Sequence, residues 1–361
     1  MRQQKIGCLF VLLLIVACSG QTEREQIELG SILILTGDGS SWGTDEKNGI
    51  DLAISELNAD GGVLGKQIVV NHQDDHSSEK GALTAFQMLT EVENIDIIIG
   101  TTWSFTGLPL VNLADEKKAL MISPSLGVKE FNEGSHYLFN TWPHDYILST
   151  YLADYVYDQG HRTIAVVNAQ EVWVQAQTDA FVKRFEDLGG TIKLTIDLQV
   201  DDTNVRSDAL KIKNADVDAV VLTAAAIQVG SLFGQSMEEL GISLPMYSIT
   251  LDRDIIASAN GAYDGMQFLT FLTPTDEFAD KYKRRHGKEP DIGADSAYDA
   301  VMLIAKAMQA TKSTDTTVLA DYLNQLKKYE GASGHLIADG KGGFTKEYLV
   351  KEIRNGLPIT I

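Results

Sequence analysis

The chain has 361 residues, 50 of them acidic and 30 basic, for a formal net charge of −20, and 44% are apolar. Such a surplus of negative charge repels nucleic acid and anionic headgroups, so nucleic acid is not expected as a partner. The charges are interspersed and the apolar fraction supports a core, which excludes a disordered acidic tail; the length suits two domains of ordinary size.

In chain order, the first segment reads as a leader. Arg2 and Lys5 give a positive start, and Ile6 to Val16 is an apolar run. That run is too short for a bilayer, which takes about 20 apolar residues. It ends in Ile15-Val16-Ala17-Cys18. A small residue before a cysteine, directly after an apolar core, resembles the bacterial lipobox. Residues 1–17 are therefore expected to be a lipoprotein signal peptide, with Cys18 lipidated and 18–26 a polar tether. The other cysteine, Cys8, lies in the leader. An exported chain without an internal disulfide must be stable through its core alone.

From Leu29 onward the pattern alternates between strand and helix. Apolar runs at 29–35, 67–71, 95–99 and 119–122 predict strands. Between them, Ile50, Ala53, Ile54 and Leu57, then Ala82 to Val92, then Leu110 to Ala114, recur at helical spacing. Asp60-Gly61-Gly62 ends the first helix. A second series follows, with helices near 147–155, 180–188 and 232–240 and strands at 163–168, 191–198, 219–222, 245–249 and 266–272. Helices return near 278–286, 294–310 and 318–326, and 348–361 reads as one or two strands around Asn355-Gly356. Alternating strands and helices demand a parallel sheet covered on both faces. Two such series, with no Pro-rich or Gly/Ser-rich linker between them, predict an α/β protein of two doubly wound parallel-sheet lobes joined by a compact hinge.

In open α/β sheets, ligands sit beyond the carboxyl ends of the strands. The loops expected there hold Thr36 to Trp42, Thr101 to Thr106, Ser123 to Ser125, Glu171 to Gln175, and Thr250 to Arg253. Hydroxyls and helix N-termini in such loops favour an anionic group such as a carboxylate. Trp42, Trp103 and Trp173 are three of the four tryptophans and all fall in these loops. An exposed indole is best explained by something it packs on or binds.

Four segments carry a family resemblance. They are Leu35-Thr36-Gly37 with Trp42-Gly43 and Lys47 to Ala53; Glu56 to Gly65 running on to Asp74-Asp75; Ile98-Ile99-Gly100 with Ile122-Ser123-Pro124; and Asp291 with Ala297 to Val301. In order and spacing the chain resembles the Leu/Ile/Val-type periplasmic solute-binding proteins of ABC transporters, over nearly all of 27–350. The resemblance implies the type I periplasmic-binding fold, with a three-strand hinge near Trp142-Pro143, Phe271-Thr275 and Gly334-His335. Lobe 1 would be 27–142 plus 273–334, and lobe 2 143–272 plus 335–361. It implies lobe closure on a small ligand, ABC permease subunits as partners, a lipid-anchored extracytoplasmic location, no cofactor and no catalysis.

The resemblance also implies that the ligand carboxylate is held by the loop at Ser104, helped by Ser125, Leu126 and Gly127, with Trp42 and Trp173 closing over it and Trp103 nearby. Three positions depart from the family pattern. The acid that fixes the α-ammonium aligns with Thr250, with Asp252 two residues on; an aromatic expected after Leu222 is replaced by Ala224 to Ala226; and a Thr expected after Ser-Pro is replaced near Gly127. The ligand is thus expected to be an amino acid or a carboxylate lacking the amine. A sensory lipoprotein of the same fold and an exported α/β hydrolase stand as alternatives; the latter needs a nucleophile with a nearby base, which the loops do not offer. His72-Gln73-Asp74-Asp75-His76 ends a strand, so its side chains point to opposite faces and no metal is expected there. Gly37, Gly39 and Gly43 lack nucleotide-loop spacing.

Overall fold

The computed structural model describes residues 26–271 and 274–361; the leader, Cys18 and the tether up to residue 25 lie outside the described residues. The first series runs β1 (Ile27–Leu33), α1 (Ser40–Ala59), β2 (Ile68–Asp74), α2 (Glu79–Gln87), β3 (Ile97–Gly100), α3 (Ser104–Gly107), α4 (Val111–Lys117), β4 (Leu120–Ser123) and β5 (Leu138–Asn140). Its strands form a parallel five-stranded sheet in the order β2-β1-β3-β4-β5. The apolar runs Ile97–Ile99 and Leu120–Ile122 are buried because helices cover both faces.

The second series runs α5 (Asp145–Asp158), β6 (Thr163–Ala169), α6 (Val172–Asp187), β7 (Thr191–Leu198), α7 (Arg206–Asn214), β8 (Ala219–Leu222), α8 (Gln228–Glu239), β9 (Met246–Ile249), α9 (Arg253–Ser258) and β10 (Gln267–Phe271). The chain then returns to the first sheet with α10 (Asp276–His286), α11 (Ala294–Thr311) and α12 (Thr316–Asn324), whose Phe278, Tyr282, Leu303 and Leu319 join its core. A small antiparallel sheet of β11 (Lys328–Gly331), β12 (Gly334–Ala338) and β13 (Phe344–Thr345) follows. The hairpin of β14 (Tyr348–Arg354) and β15 (Leu357–Thr360) then completes a seven-stranded sheet, β15-β14-β10-β9-β8-β6-β7. Only the β10–β14 and β14–β15 pairs are antiparallel in it. Among the described residues no helix is long and apolar enough to cross a membrane.

The last passage between the sheets falls between Thr345 and Tyr348, not at Gly334-His335. Leu336 and Phe344 are buried with Phe139 and Leu319 in the first sheet's core, so 335–345 pack there rather than with 348–361. α1 starts at Ser40, well before the apolar spacing that begins at Ile50. Its first turns bury Gly43, Asp45 and Glu46 instead of an apolar stripe. β5, with three residues, and α7, which buries only Ala209 and Ile212, carry too little periodicity to be read from sequence.

The shared motifs have structural causes. A Cβ on Gly43 would stand 1.9 Å from the Ile34 carbonyl oxygen, and one on Gly49 2.1 Å from that of Ala294. Both glycines let α1 pack directly on backbone. Asn58 binds both backbone groups of Ile68 at 2.8 Å, fixing the turn from α1 into β2. Asp299 accepts the N–H groups of Ala332 (2.7 Å) and Ser333 (2.8 Å), pinning the β11–β12 turn. His72 bridges Ser31 (2.6 Å) and Asp51 (3.0 Å), while His76 meets Asp74.

Candidate functional site

In the five-stranded sheet the strand order reverses between β1 and β3; in the seven-stranded sheet it reverses between β6 and β8. Crevices open at such switch points. Loops from the two sheets meet there around a cavity. The first sheet supplies Trp42, then Thr102, Trp103 and Ser104 after β3, then Ser125 and Gly127 after β4. The second supplies Trp173 and Gln177 of α6 and Thr250 after β9. Trp142 and Asp145 stand where the chain first passes between the sheets. The chain has four tryptophans, and all four line this cavity. Trp42 and Trp103 meet edge to face, centroids 6.0 Å apart, a favourable aromatic geometry.

Asp145 is the carboxylate of this cavity. It accepts the indole N–H of Trp142 (3.2 Å) and the amide of Gln177 (3.1 Å), both neutral donors. Its own N–H binds the carbonyl of Gly127 at 2.8 Å. Gly127 is required here: a Cβ on it would lie 2.2 Å from Asp145 Oδ2. Burial pushes Asp145 up to about 6, against the pull of those two hydrogen bonds. No cation within 4.0 Å pairs with it among the described residues. Three further polar atoms of the lining are buried without a hydrogen-bond partner among the described residues: Trp103 Nε1, Thr250 Oγ1 and Gln177 Oε1. Orphaned groups of this kind are costly unless a ligand or water meets them.

Behind Ser125 and Thr102 lies Glu46, fully buried. The Thr102 hydroxyl donates to it at 2.7 Å, and the Ser125 hydroxyl lies between it and the Thr102 carbonyl oxygen, 2.6 Å from the latter. A single hydroxyl proton cannot serve two acceptors. A protonated Glu46 resolves this by donating to Ser125, which then donates to Thr102. Burial indeed raises Glu46 to about 7, although the Ser125 and Thr102 hydrogen bonds oppose the shift.

Asp252 does not line the cavity. One oxygen caps α9 by accepting the N–H of Ile255 (2.7 Å); the other accepts the indole N–H of Trp42 (2.6 Å). Burial raises its pKa, and these contacts pull it back. Leu126 and Ala226 are also outside the lining, their side chains buried in the core. Trp42, Trp103, Ser104, Ser125, Gly127, Trp173 and Thr250 are brought together. Sequence reasoning placed Thr102 in a bordering loop without assigning it a role, missed Asp145 and Gln177, and gave Trp142 no part in the site. Gln177 had a signal, a polar residue one turn after Trp173 on the buried face of α6, next to Val174, Thr178 and Phe181. Asp145 had none beyond its place in the first turn of α5.

Residues 26–356 match the family model described as periplasmic binding protein. The Leu/Ile/Val-binding protein homolog 1 of Brucella abortus (strain 2308) is 25% identical over 340 residues, which span 92% of this chain and 91% of that one. A leucine binding protein of Thermotoga maritima MSB8 superposes with a TM-score of 0.85 at 22% identity, covering 93% of this chain and 97% of that one. The branched-chain amino acid transporter substrate binding protein of Streptococcus pneumoniae, solved with isoleucine, gives a TM-score of 0.84 at 22% identity, with 93% and 100% covered.

Proposed function

The chain belongs to the periplasmic binding protein family, and from that premise we propose that it captures a free α-amino acid with an apolar side chain outside the cytoplasm for the permease of an ABC importer. The observation that carries this reading is the buried Asp145, which faces the cavity with neutral donors and, among the described residues, no cation within 4.0 Å. A buried carboxylate of this kind gains most from a positively charged partner. With the orphaned Gln177 Oε1 it makes an acceptor pole suited to an ammonium. Ser104, Trp103 Nε1 and Thr250 Oγ1 line the same cavity and offer donors for a carboxylate. The four tryptophans supply apolar wall, against which an apolar side chain would lie.

An acid without an amine leaves Asp145 unmatched, so the amino acid is favoured over the amine-free carboxylate. The names of the relatives, which refer to leucine, isoleucine and valine, support the same class. In this reading Asp252 is not the ammonium partner but a latch to Trp42, and Ser125 acts by aligning Thr102 and Glu46. The two sheets would close on the ligand, which shifts the equilibrium by its preference for the closed arrangement. A lipid on Cys18 would keep the closed protein near its permease. No chemical step is assigned to the site.

A thermal-shift screen of the twenty amino acids tests the reading. At about 100-fold over its dissociation constant a ligand adds roughly 2.7 kcal/mol, a clear rise in Tm. A rise with leucine, isoleucine or valine that disappears in Asp145→Asn is expected. No rise with any amino acid would sink it.

A further inference from the structure

A second cavity lies between the sheets. Trp142 separates it from the first, lining both. Its lining also includes Phe271 and Lys346, so it sits beside all three passages of the chain. Leu251, Phe268 and Ile292 give it apolar walls.

Its charges do not balance. Lys346 is buried 3.6 Å from Asp295 and over the Trp142 ring, a neutral pair. Three charged groups remain: Arg253 at the exposed mouth, and the half-buried Lys351 and Asp291. Among the described residues neither Arg253 nor Lys351 has a carboxylate within 4.0 Å. Asp291 spends one oxygen on the N–H of Ile292. Within the lining two cations face one carboxylate, a surplus of one cation there, while on its outer side Arg253 also borders Asp252, Asp254 and Glu289. Burial, and then the nearness of Arg253, hold Lys351 below its usual value, against Asp291. An unpaired cation in such surroundings is stabilised by an anion that reaches it.

We infer that this cavity is a second ligand site, for a small monocarboxylate with an apolar body, its carboxylate held by Arg253 and Lys351. One negative charge matches the surplus, the guanidinium offers paired donors to a carboxylate, and the aromatic and aliphatic wall takes the hydrocarbon. The amino-acid cavity does not compete for this ligand, because Asp145 opposes an acid without an amine.

The test is isothermal titration of the purified protein with 3-methylbutanoate, alone and with leucine at saturation. Binding that persists under leucine is expected. Arg253→Ala with Lys351→Gln should weaken it roughly tenfold or more, while leucine affinity and Tm stay at the wild-type values. Asp145→Asn should leave it unchanged. No binding at millimolar acid, displacement by leucine, or full retention in the Arg253/Lys351 variant would each overturn the site. If leucine does not bind at all, the titration with 3-methylbutanoate alone still decides this site, since it needs no occupant in the first cavity.

Discussion

The indole N–H of Trp42 donates a 2.6 Å hydrogen bond to the carboxylate of Asp252, joining the start of α1 on one sheet to the cap of α9 on the other. The two residues are 210 positions apart, and neither sheet can make the contact alone. A bond of this kind exists only while the sheets hold their present separation, so it belongs to the closed arrangement of the proposed cycle.

Trp42→Phe keeps a ring against Trp103 but removes the N–H. Ligand should then dissociate faster, with affinity down about 10-fold or more, the scale of one hydrogen bond to a charged group. Trp42→Ala and Ser104→Ala should also weaken binding, with circular dichroism unchanged. Stopped-flow release of a bound amino acid measures the first effect and calorimetry the rest. Unchanged affinity in both alanine variants would remove this cavity from the proposed role.

Asp145→Asn should cost roughly 100-fold in amino-acid affinity, since it removes the charged partner of the ammonium. The wild type carries a pH signature as well. Asp145 titrates near 6 in the free protein, and a bound ammonium favours its ionised form. Affinity should therefore be flat above pH 7 and fall below pH 6, approaching about tenfold per unit. Titrations at several pH values between 5 and 8 would show it, and the fall should be absent in Asp145→Asn.

Gly127→Ala places a methyl group against Asp145 Oδ2. Overpacking of this kind costs about 1–3 kcal/mol, and it displaces the carboxylate. Both Tm and binding should drop. Combined with Asp145→Asn, the losses in binding should be far from additive, because both act through one group.

Glu46 titrates near 7 in the folded chain, against an ordinary 4.5 once unfolded, so between these values the folded state holds more protons. The stability linked to this group is complete below about pH 4.5 and is lost as pH rises through 7, on the order of 3 kcal/mol by pH 8. Glu46→Gln, whose amide donates to Ser125 while its carbonyl accepts from Thr102, should unfold at a higher temperature than wild type at pH 8 and lose less Tm between pH 5 and pH 8. Melting curves at the two pH values decide it; an equal slope in both proteins would contradict the protonated network.

The sequence by itself determined the two parallel sheets. Runs such as Ile97–Ile99 and Val220–Leu222 are too continuous for a half-exposed strand, and the helices between them follow from a 3.6-residue spacing that depends on local order alone. It also determined which loops border the cavity, since those loops follow the carboxyl ends of the strands, and three tryptophans there stood out from the polar residues around them. Tertiary structure alone decided which group in the cavity carries charge. Asp145 looks like any first-turn acid until α5 is packed, when Gly127, Trp142 and Gln177 enclose it and burial lifts its pKa. Asp252, the acid two residues beyond the aligned Thr250, is turned aside because its oxygens are taken by Ile255 and Trp42. Glu46 sits in the polar start of a helix and reads as surface, yet the backbone contact at Gly43 draws that turn inward and buries it. Periodicity reports which face of an element is covered; which polar atoms then meet depends on residues far apart in sequence, and only the packed chain brings them together.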